Sequence, residues 1–415
     1  MRLEPLSHPK RGEKGLVKRE EVIRLEDRWI APVFQRRPIV AVRGRDAILW
    51  DADGREYVDC MAGYGAAFLG HCHPRVVEAV KAQAEKLLAC HGSVYAEARA
   101  ELLRRLELIA PEGLGRVFLS NSGAEAVEFA LKAARKYTGK REFIAMVRGF
   151  HGKTMGALSA TWNPKYRASF EPLLAGVRFV PYGKAEKVEE AITSDTAAVI
   201  VEPIQGEGGV YVAPEGYLAQ LREICDRHGI VLIFDEIQTG FGRTGKLFAY
   251  QHWNVVPDII CLAKAAGSGV PIGITLAKNE ILESLSIGEH SSTFSGNPLA
   301  CAAASATIDV LVEGRLWERA ERLGKLFKGF LSRLAEKYRV VREVRGLGLM
   351  LAVEYRFDIL DVLQGLLQRG VIALSSGTRI LRFLPPVSIT EDQIEYVAAK
   401  LEECTEIMER ERLKS

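Results

Sequence analysis

Nowhere in this 415-residue chain do cysteines form a Cys-x-x-Cys pair. The seven cysteines (Cys60, Cys72, Cys90, Cys225, Cys261, Cys301, Cys404) are odd in number and scattered, so neither a zinc knuckle nor a disulfide framework is indicated. No run of Lys and Arg is long enough for a basic patch, and the net charge is only +3. A nucleic-acid or polyanion partner is therefore not expected. No apolar stretch approaches the roughly 20 residues of a membrane helix. The N-terminus is polar and lacks the apolar core of a signal peptide, which makes the cytoplasm the expected compartment. Asn and Gln are scarce, which points to a thermophilic source. His71-Cys72-His73 offers metal-ligating side chains, but adjacent residues cannot readily close on one ion. A turn is the expected reading there, and no metal is assigned.

What is present is an ordinary globular composition, 48% hydrophobic and 26% charged. The length predicts two or three structural units in one body. Residues 1–38 are charged and patchily apolar, as in a terminal helix and arm. Residues 39–59 alternate apolar and polar around Asp51-Ala52-Asp53-Gly54, which predicts two short strands joined by a tight turn. A helix is expected from Pro74 to Leu88. From Glu97 onward, helical and strand patterns alternate at the spacing of a βαβ architecture. Strands are predicted at 116–119, 143–147, 177–181, 197–202, 230–235, 258–262 and 272–276, and a helix at 123–138 with Val127, Ala130, Leu131 and Ala134 on one face. A long helix is expected over 298–326, with Gly314 marking a kink or a break. The last part, 338–415, mixes strands (340–344, 350–354, 379–383) with helices. The expected organisation is residues 1–60 as an arm and short strands joining a small domain, 61–310 as a large domain, and 311–415 as the small α+β domain.

Chemistry gathers between Ile230 and Gly269. Two short apolar runs there read as buried parallel strands, and each leads to one reactive group, Asp235 and Lys264. Ligands of open α/β sheets sit outside the carboxyl ends of strands, so the two belong on one rim. A carboxylate closing an apolar strand needs a positive partner. Burial would lower the lysine toward its neutral amine. Such a pair suits pyridoxal phosphate, whose aldehyde needs a lysine and whose ring nitrogen needs an anion. A lysine that merely caps its strand is the alternative.

Other stretches read two ways. Ser120-Asn121-Ser122-Gly123-Ala124-Glu125 suits a phosphate at a helix N-terminus and equally a capping box. Phe150 could stack on a flat ring or anchor the core. Glu202 and Glu207 stand in a glycine-rich loop after a strand, where either function or exposure would explain them.

Taken together, stretches 120–125, 149–152, 202–209, 234–245, 262–269 and 292–300 resemble the class III aminotransferases of ornithine, acetylornithine and 4-aminobutyrate type. The resemblance runs from about residue 38 to about residue 400. It implies the α/β fold type I architecture, a large domain with a mostly parallel central sheet plus a smaller α+β domain. It also implies a homodimer, or a higher oligomer, with shared active sites. Lys264 would carry the cofactor covalently, Asp235 would pair with its ring nitrogen, and Gln238 would contact its phenolic oxygen. Phe150 would stack on the ring, with His151 and Glu202 also in the cofactor site. Ser122, Gly123 and Ala124 would hold the phosphate, and Thr293 would reach the phosphate of the neighbouring subunit.

For substrates, the resemblance makes Arg382 the clamp for the α-carboxylate of glutamate or 2-oxoglutarate. Glu207 would pair with that arginine when a terminal amine is presented, and Tyr64 would be a substrate-side aromatic. One departure is Lys153, where acetylornithine-type enzymes carry an arginine that binds the far carboxylate; putrescine aminotransferases share the lysine. Residues 156–181 and 292–311 also resemble the putrescine enzymes. Residues 341–350 and 380–386 resemble archaeal aminotransferases of lysine and arginine biosynthesis, whose substrates ride on a carrier protein. A second departure is Ala266-Gly267-Ser268-Gly269 in place of Leu-Gly-Gly-Gly. The expected reaction is transfer of a terminal amino group from an ornithine or lysine derivative, a 4-aminobutyrate-like acid or a diamine to 2-oxoglutarate, by a ping-pong route. A diamine or broad ω-amine transaminase using pyruvate is one alternative, and a racemase or aminomutase on the same fold is another.

Overall fold

A seven-stranded sheet runs through the middle of the molecule in the order Arg116–Ser120, Gly273–Ala277, Ile259–Leu262, Val231–Asp235, Thr196–Val201, Glu142–Met146, Val177–Val180. The computed structural model describes residues 18–412. The expected arm over residues 1–17 lies outside them, while the helix Arg19–Trp29 follows and buries no residue. Within the sheet, Gly273–Ala277 is antiparallel to both neighbours, and the pairings among the remaining strands are parallel. Strands buried on both faces read as continuous apolar runs. Thr196–Val201 and Val231–Asp235 are accordingly buried at every position.

The helix Gly123–Thr138 packs on the sheet through the predicted stripe of Val127, Ala130, Leu131 and Ala134, each 3% exposed or less. Helix Pro298–Glu313 crosses Pro74–Lys86 and Glu97–Ile109. Its run of Ala and Cys keeps the side chains short, so the backbones approach closely.

The smaller α+β part has a four-stranded antiparallel sheet, Val341–Leu347, Met350–Tyr355, Ile380–Phe383 and Leu374–Ser376 in that order. Helices Leu316–Lys337 and Glu391–Arg412 pack against one another beside it. A further strand, Val371–Ile372, pairs in parallel with Glu56–Asp59, tying the two ends of the chain together.

Two expectations are corrected. Residues 39–59 hold three strands, Ala41–Arg45, Ile48–Asp51 and Glu56–Asp59. The first predicted strand is divided at Asp46, which takes φ +52°; Asp tolerates that left-handed turn because its short side chain bonds locally. The helix after Pro298 breaks at Gly314 as expected, with Arg315 at φ 44°, ψ 45° between its two parts, but its extent differs. The second then runs to Lys337, well past Leu326. Among the described residues no helix is long and apolar enough to cross a membrane, and no cluster of His, Cys, Asp or Glu could hold a metal ion. His71 turns instead to Asp59, Nε2 to Oδ2 2.8 Å.

Candidate active site

The parallel register brings the carboxyl ends of separate strands to one edge. Asp235 pairs opposite Cys261, and Phe234 opposite Val201, so Asp235, Glu202 and Lys264 follow at the same rim. Ser120 pairs with Gly273, and this places the start of helix Gly123–Thr138 beside them. A cavity of about 390 Å³ opens there, lined by Ser122, Gly123, Ala124, Phe150, His151, Glu202, Glu207, Asp235, Gln238 and Lys264 among others.

Lys264 begins the short 3-10 turn after strand Ile259–Leu262. Its φ is +44°, a left-handed backbone that L side chains occupy only at a cost. The amine has no hydrogen bond or ion pair among the described residues, and the residue lines the cavity. Burial pushes it below its ordinary value, against the opposing pull of Glu207 and Asp235. A lysine that merely capped its strand would bond a carbonyl or a carboxylate.

Asp235 is 4% exposed. His151 Nδ1–H donates to its Oδ2 at 2.7 Å, and the Ile237 N–H donates to Oδ1 at 3.0 Å. Burial lowers the imidazole, but the bond to Asp235 and the charges of Asp235 and Glu202 outweigh it and leave His151 above its ordinary value. Glu202 accepts N–H bonds from Phe150 and Gly206, each 3.0 Å. Burial, with the nearby Asp235 charge, carries Glu202 up to about 7 despite His151.

At the other end, Ser122 Oγ accepts the Glu125 N–H at 3.2 Å, and the Glu125 carboxylate takes the Asn121 N–H at 2.6 Å. Only half of the capping box forms, since Glu125 takes the N–H of Asn121 and not that of the cap Ser122, and the Gly123 and Ala124 N–H groups are left without intrahelical acceptors at the cavity wall. Gly123 is required by space, since a Cβ there would stand 2.8 Å from Ile237. The cradle thus suits an anion. Phe150 is half-buried and lines the cavity rather than the core. The Gln238 amide makes only a 3.5 Å contact to Glu207, and its buried Oε1 has no partner. An anion cradle, a ring-stacking face, a free amide, a buried carboxylate and an unpaired amine together fit pyridoxal phosphate.

Arg382 lies wholly buried behind this wall, its Nη2 2.9 Å from Glu207 Oε2 and its Nη1 donating to the Gly206 carbonyl at 2.9 Å. Tyr64 lines an outer cavity of about 740 Å³, which shares Phe150 and Glu207 with the inner one. Lys153 and Thr293 line neither cavity. Lys153 is exposed with Nζ 4.7 Å above the Tyr166 ring, and Thr293 is exposed on the turn before Asn297. Reading the sequence missed the outer wall, formed in part by Arg148, Trp162, Tyr166 and Tyr211. The one signal for Arg148 was its place two residues before Phe150.

The family model described as aminotransferase class-III matches residues 30–405. An acetylornithine aminotransferase of Methanopyrus kandleri is 50% identical over 380 residues, covering 91% of this chain and 97% of that protein. A [LysW]-aminoadipate semialdehyde/glutamate semialdehyde transaminase of Sulfolobus acidocaldarius is 43% identical over 371 residues, covering 89% and 96%. Among solved structures, an ornithine aminotransferase from Toxoplasma gondii with partial occupancy of PLP at its active site superposes with a TM-score of 0.91 at 35% identity, covering 97% of each chain. With a family match over nearly its whole length and half the aligned residues identical in one relative, the chain belongs to the class III aminotransferases.

Proposed function

We propose that the protein is a pyridoxal-phosphate-dependent ω-aminotransferase that moves the terminal amino group of an ornithine or lysine derivative to 2-oxoglutarate. The observation that carries this is the unpaired Lys264 amine on the same cavity as Asp235 and Glu207, with Arg382 paired to Glu207 behind the wall. When bound, the cofactor supplies an electron sink for the pair left when the donor's amine-bearing carbon loses its proton. The Gly123 and Ala124 N–H groups, with Ser122, would hold its phosphate, Phe150 would stack on its ring and Gln238 would meet its phenolic oxygen. Asp235 would face the ring nitrogen, with both its oxygens oriented by His151 and the Ile237 N–H.

Lys264 Nζ, whose pKa burial lowers, would accept the proton from the substrate carbon and later return it. Glu207 and Arg382 select substrates by turns. While paired, they present no free cation to a terminal amine. When a dicarboxylic acid enters, the guanidinium is released to clamp its α-carboxylate bidentately. Tyr64 and Lys153 border the outer approach, Lys153 through Tyr166.

The assembly we propose is a homodimer in the cytoplasm of a thermophilic source, with residues 1–60 and 311–415 as the small domain and 61–310 as the large one. The exposure of Thr293 and of the adjacent Phe294, 59% accessible, supports a subunit contact there. A carrier-borne substrate is part of the same reading, supported by the likeness to the [LysW]-dependent transaminase.

The test is the visible spectrum of the purified holoenzyme. L-Glutamate should bleach the cofactor band and 2-oxoglutarate should restore it. A band that responds to amines only with pyruvate would favour the other transaminase reading. Turnover of an amino acid without any keto acid would establish an isomerase instead.

A further inference from the structure

Arg148 is the one outer-wall cation placed beside both residues that the two cavities share. It sits two positions before Phe150, and its carbonyl lies against Gly208, so that a Cβ at Gly208 would stand 2.7 Å from that oxygen. Its φ of +68° is a strained backbone for arginine. The strand end before it is fixed by Gln205, whose Nε2 donates to the Val147 carbonyl at 2.9 Å. The guanidinium rests 4.6 Å above the Tyr211 ring and has neither a hydrogen bond nor an anionic partner among the described residues.

The other charged groups of that wall are Glu207, Asp358 and Lys165, of which Asp358 and Lys165 are solvent-exposed, as Arg148 itself is. Glu207 is held by Arg382, and the Asp358 carboxylate accepts the Leu360 N–H at 2.8 Å. Arg345, the second guanidinium over Tyr211 at 4.1 Å, is committed to Glu354, Glu343 and the Gly209 carbonyl. Lys165 is exposed in the short helix Pro164–Arg167. The cations and carboxylates of that lining balance, and Arg148 is its one planar fork without a carboxylate partner among the described residues.

We infer that Arg148 binds the far carboxylate of the amine donor and makes carboxylate-ended ω-amines, rather than plain diamines, the preferred substrates. This rests on the transaminase reading above. The donor's amine sits at Lys264 in the inner cavity, and its chain passes between Phe150 and Glu207. Its carboxylate then meets Arg148 in the outer one. Stacking on Tyr211 holds the guanidinium plane, so little side-chain freedom is lost when it pairs. Lys153, exposed and outside both linings, has no such position.

The experiment compares wild-type holoenzyme with Arg148→Gln and Lys165→Ala, using N-acetylornithine and putrescine as donors with 2-oxoglutarate. For Arg148→Gln, kcat/KM for N-acetylornithine should fall roughly 30-fold, mostly in KM. Putrescine should fall less than about threefold, so their ratio shifts by at least about tenfold. Lys165→Ala should shift that ratio by less than about threefold. The glutamate half-reaction, followed by absorbance, reports that each variant is folded and loaded. An equal fall with both donors, an unchanged ratio, or a larger shift from Lys165→Ala would each overturn the assignment while leaving the transaminase reading intact. A wild-type protein inert toward every donor, with glutamate leaving its spectrum unchanged, would remove that reading and this inference together.

Discussion

Arg382 and Glu207 close on each other at 2.9 Å with the guanidinium wholly buried, so the site's strongest anion receptor is shut in the free protein. Burial raises the Glu207 carboxyl, but Arg382 and Lys264 more than compensate and hold it below its ordinary value. It is therefore charged at neutral pH. Glu207→Gln should free Arg382 and lower KM for L-glutamate by about tenfold, the worth of one charge-assisted hydrogen bond. The same change should worsen discrimination in favour of terminal amines, since glutamate then competes for the opened clamp. Steady-state kinetics with both donors checks this, and an unchanged glutamate KM would mean that the pair does not gate the site.

Lys264→Ala removes the one unpaired amine of the inner cavity. Turnover should fall by at least about 10³-fold, while pyridoxal phosphate still binds through the helix start and the ring contacts. Absorbance after desalting measures retention, and a coupled assay measures rate. In wild-type apoprotein the depressed amine has a larger neutral fraction than surface lysines at pH 8. Peptide mapping after brief treatment with an amine-selective reagent should therefore find Lys264 modified ahead of them, wherever the reagent fits the cavity.

Asp235→Asn exchanges a buried charge for a neutral amide beside His151. The imidazole loses the partner that raises it, and the ring nitrogen loses its counter-charge. A fall of at least about 100-fold in the single-turnover rate with glutamate is expected, in line with removing one partner of a buried ion pair. A near-normal rate would separate Asp235 from the chemistry.

The strand ends and the residues on them were legible because both kinds of signal are local. Apolar runs such as 231–235 mark buried strands, and a charged residue closing such a run is costly enough to be informative. What joins them was not legible. His151 and Asp235 are 84 residues apart, and nothing in either stretch encodes their contact. The break after Glu313 was legible from Gly314, whereas the run of the second helix to Lys337 was not. Arg148 looked like any charged residue after a strand, and only the folded wall around Tyr211 distinguishes it.

Gly273 should be intolerant of a side chain for a reason tied to the cofactor. A Cβ there would lie 2.2 Å from the Ser122 carbonyl oxygen and 2.3 Å from Ser120 Oγ, at the start of the helix that holds the phosphate. Gly273→Ala must push that helix start away from the sheet edge. Overpacking of this sort costs about 1–3 kcal/mol, part of it paid in the cradle. Pyridoxal phosphate affinity should drop by about tenfold, read by titrating apoprotein spectrophotometrically; wild-type affinity would show that the cradle does not depend on this contact.

Glu236, adjacent to Asp235 in sequence, gives a pH prediction of definite sign. Its carboxyl is 1% exposed, accepting N–H bonds from Ala249 and Tyr250 at 2.6 and 2.8 Å and the Thr239 hydroxyl at 3.1 Å. Burial nevertheless carries it up to about 7 from 4.5, because those bonds only partly offset the loss of water. A carboxyl raised in the folded state makes that state bind more protons than the unfolded chain between about pH 4.5 and pH 7. Its stabilising contribution is whole below that window and is lost as pH rises through 7. The size is on the order of 3 kcal/mol for a shift of this extent. Glu236→Gln cannot titrate, so its melting temperature should change less between pH 5 and pH 8 than that of the wild type. The variant starts lower at pH 5, because an amide nitrogen facing the Ala249 N–H cannot accept it. Parallel pH dependences for the two proteins would mean that Glu236 ionises normally in the fold.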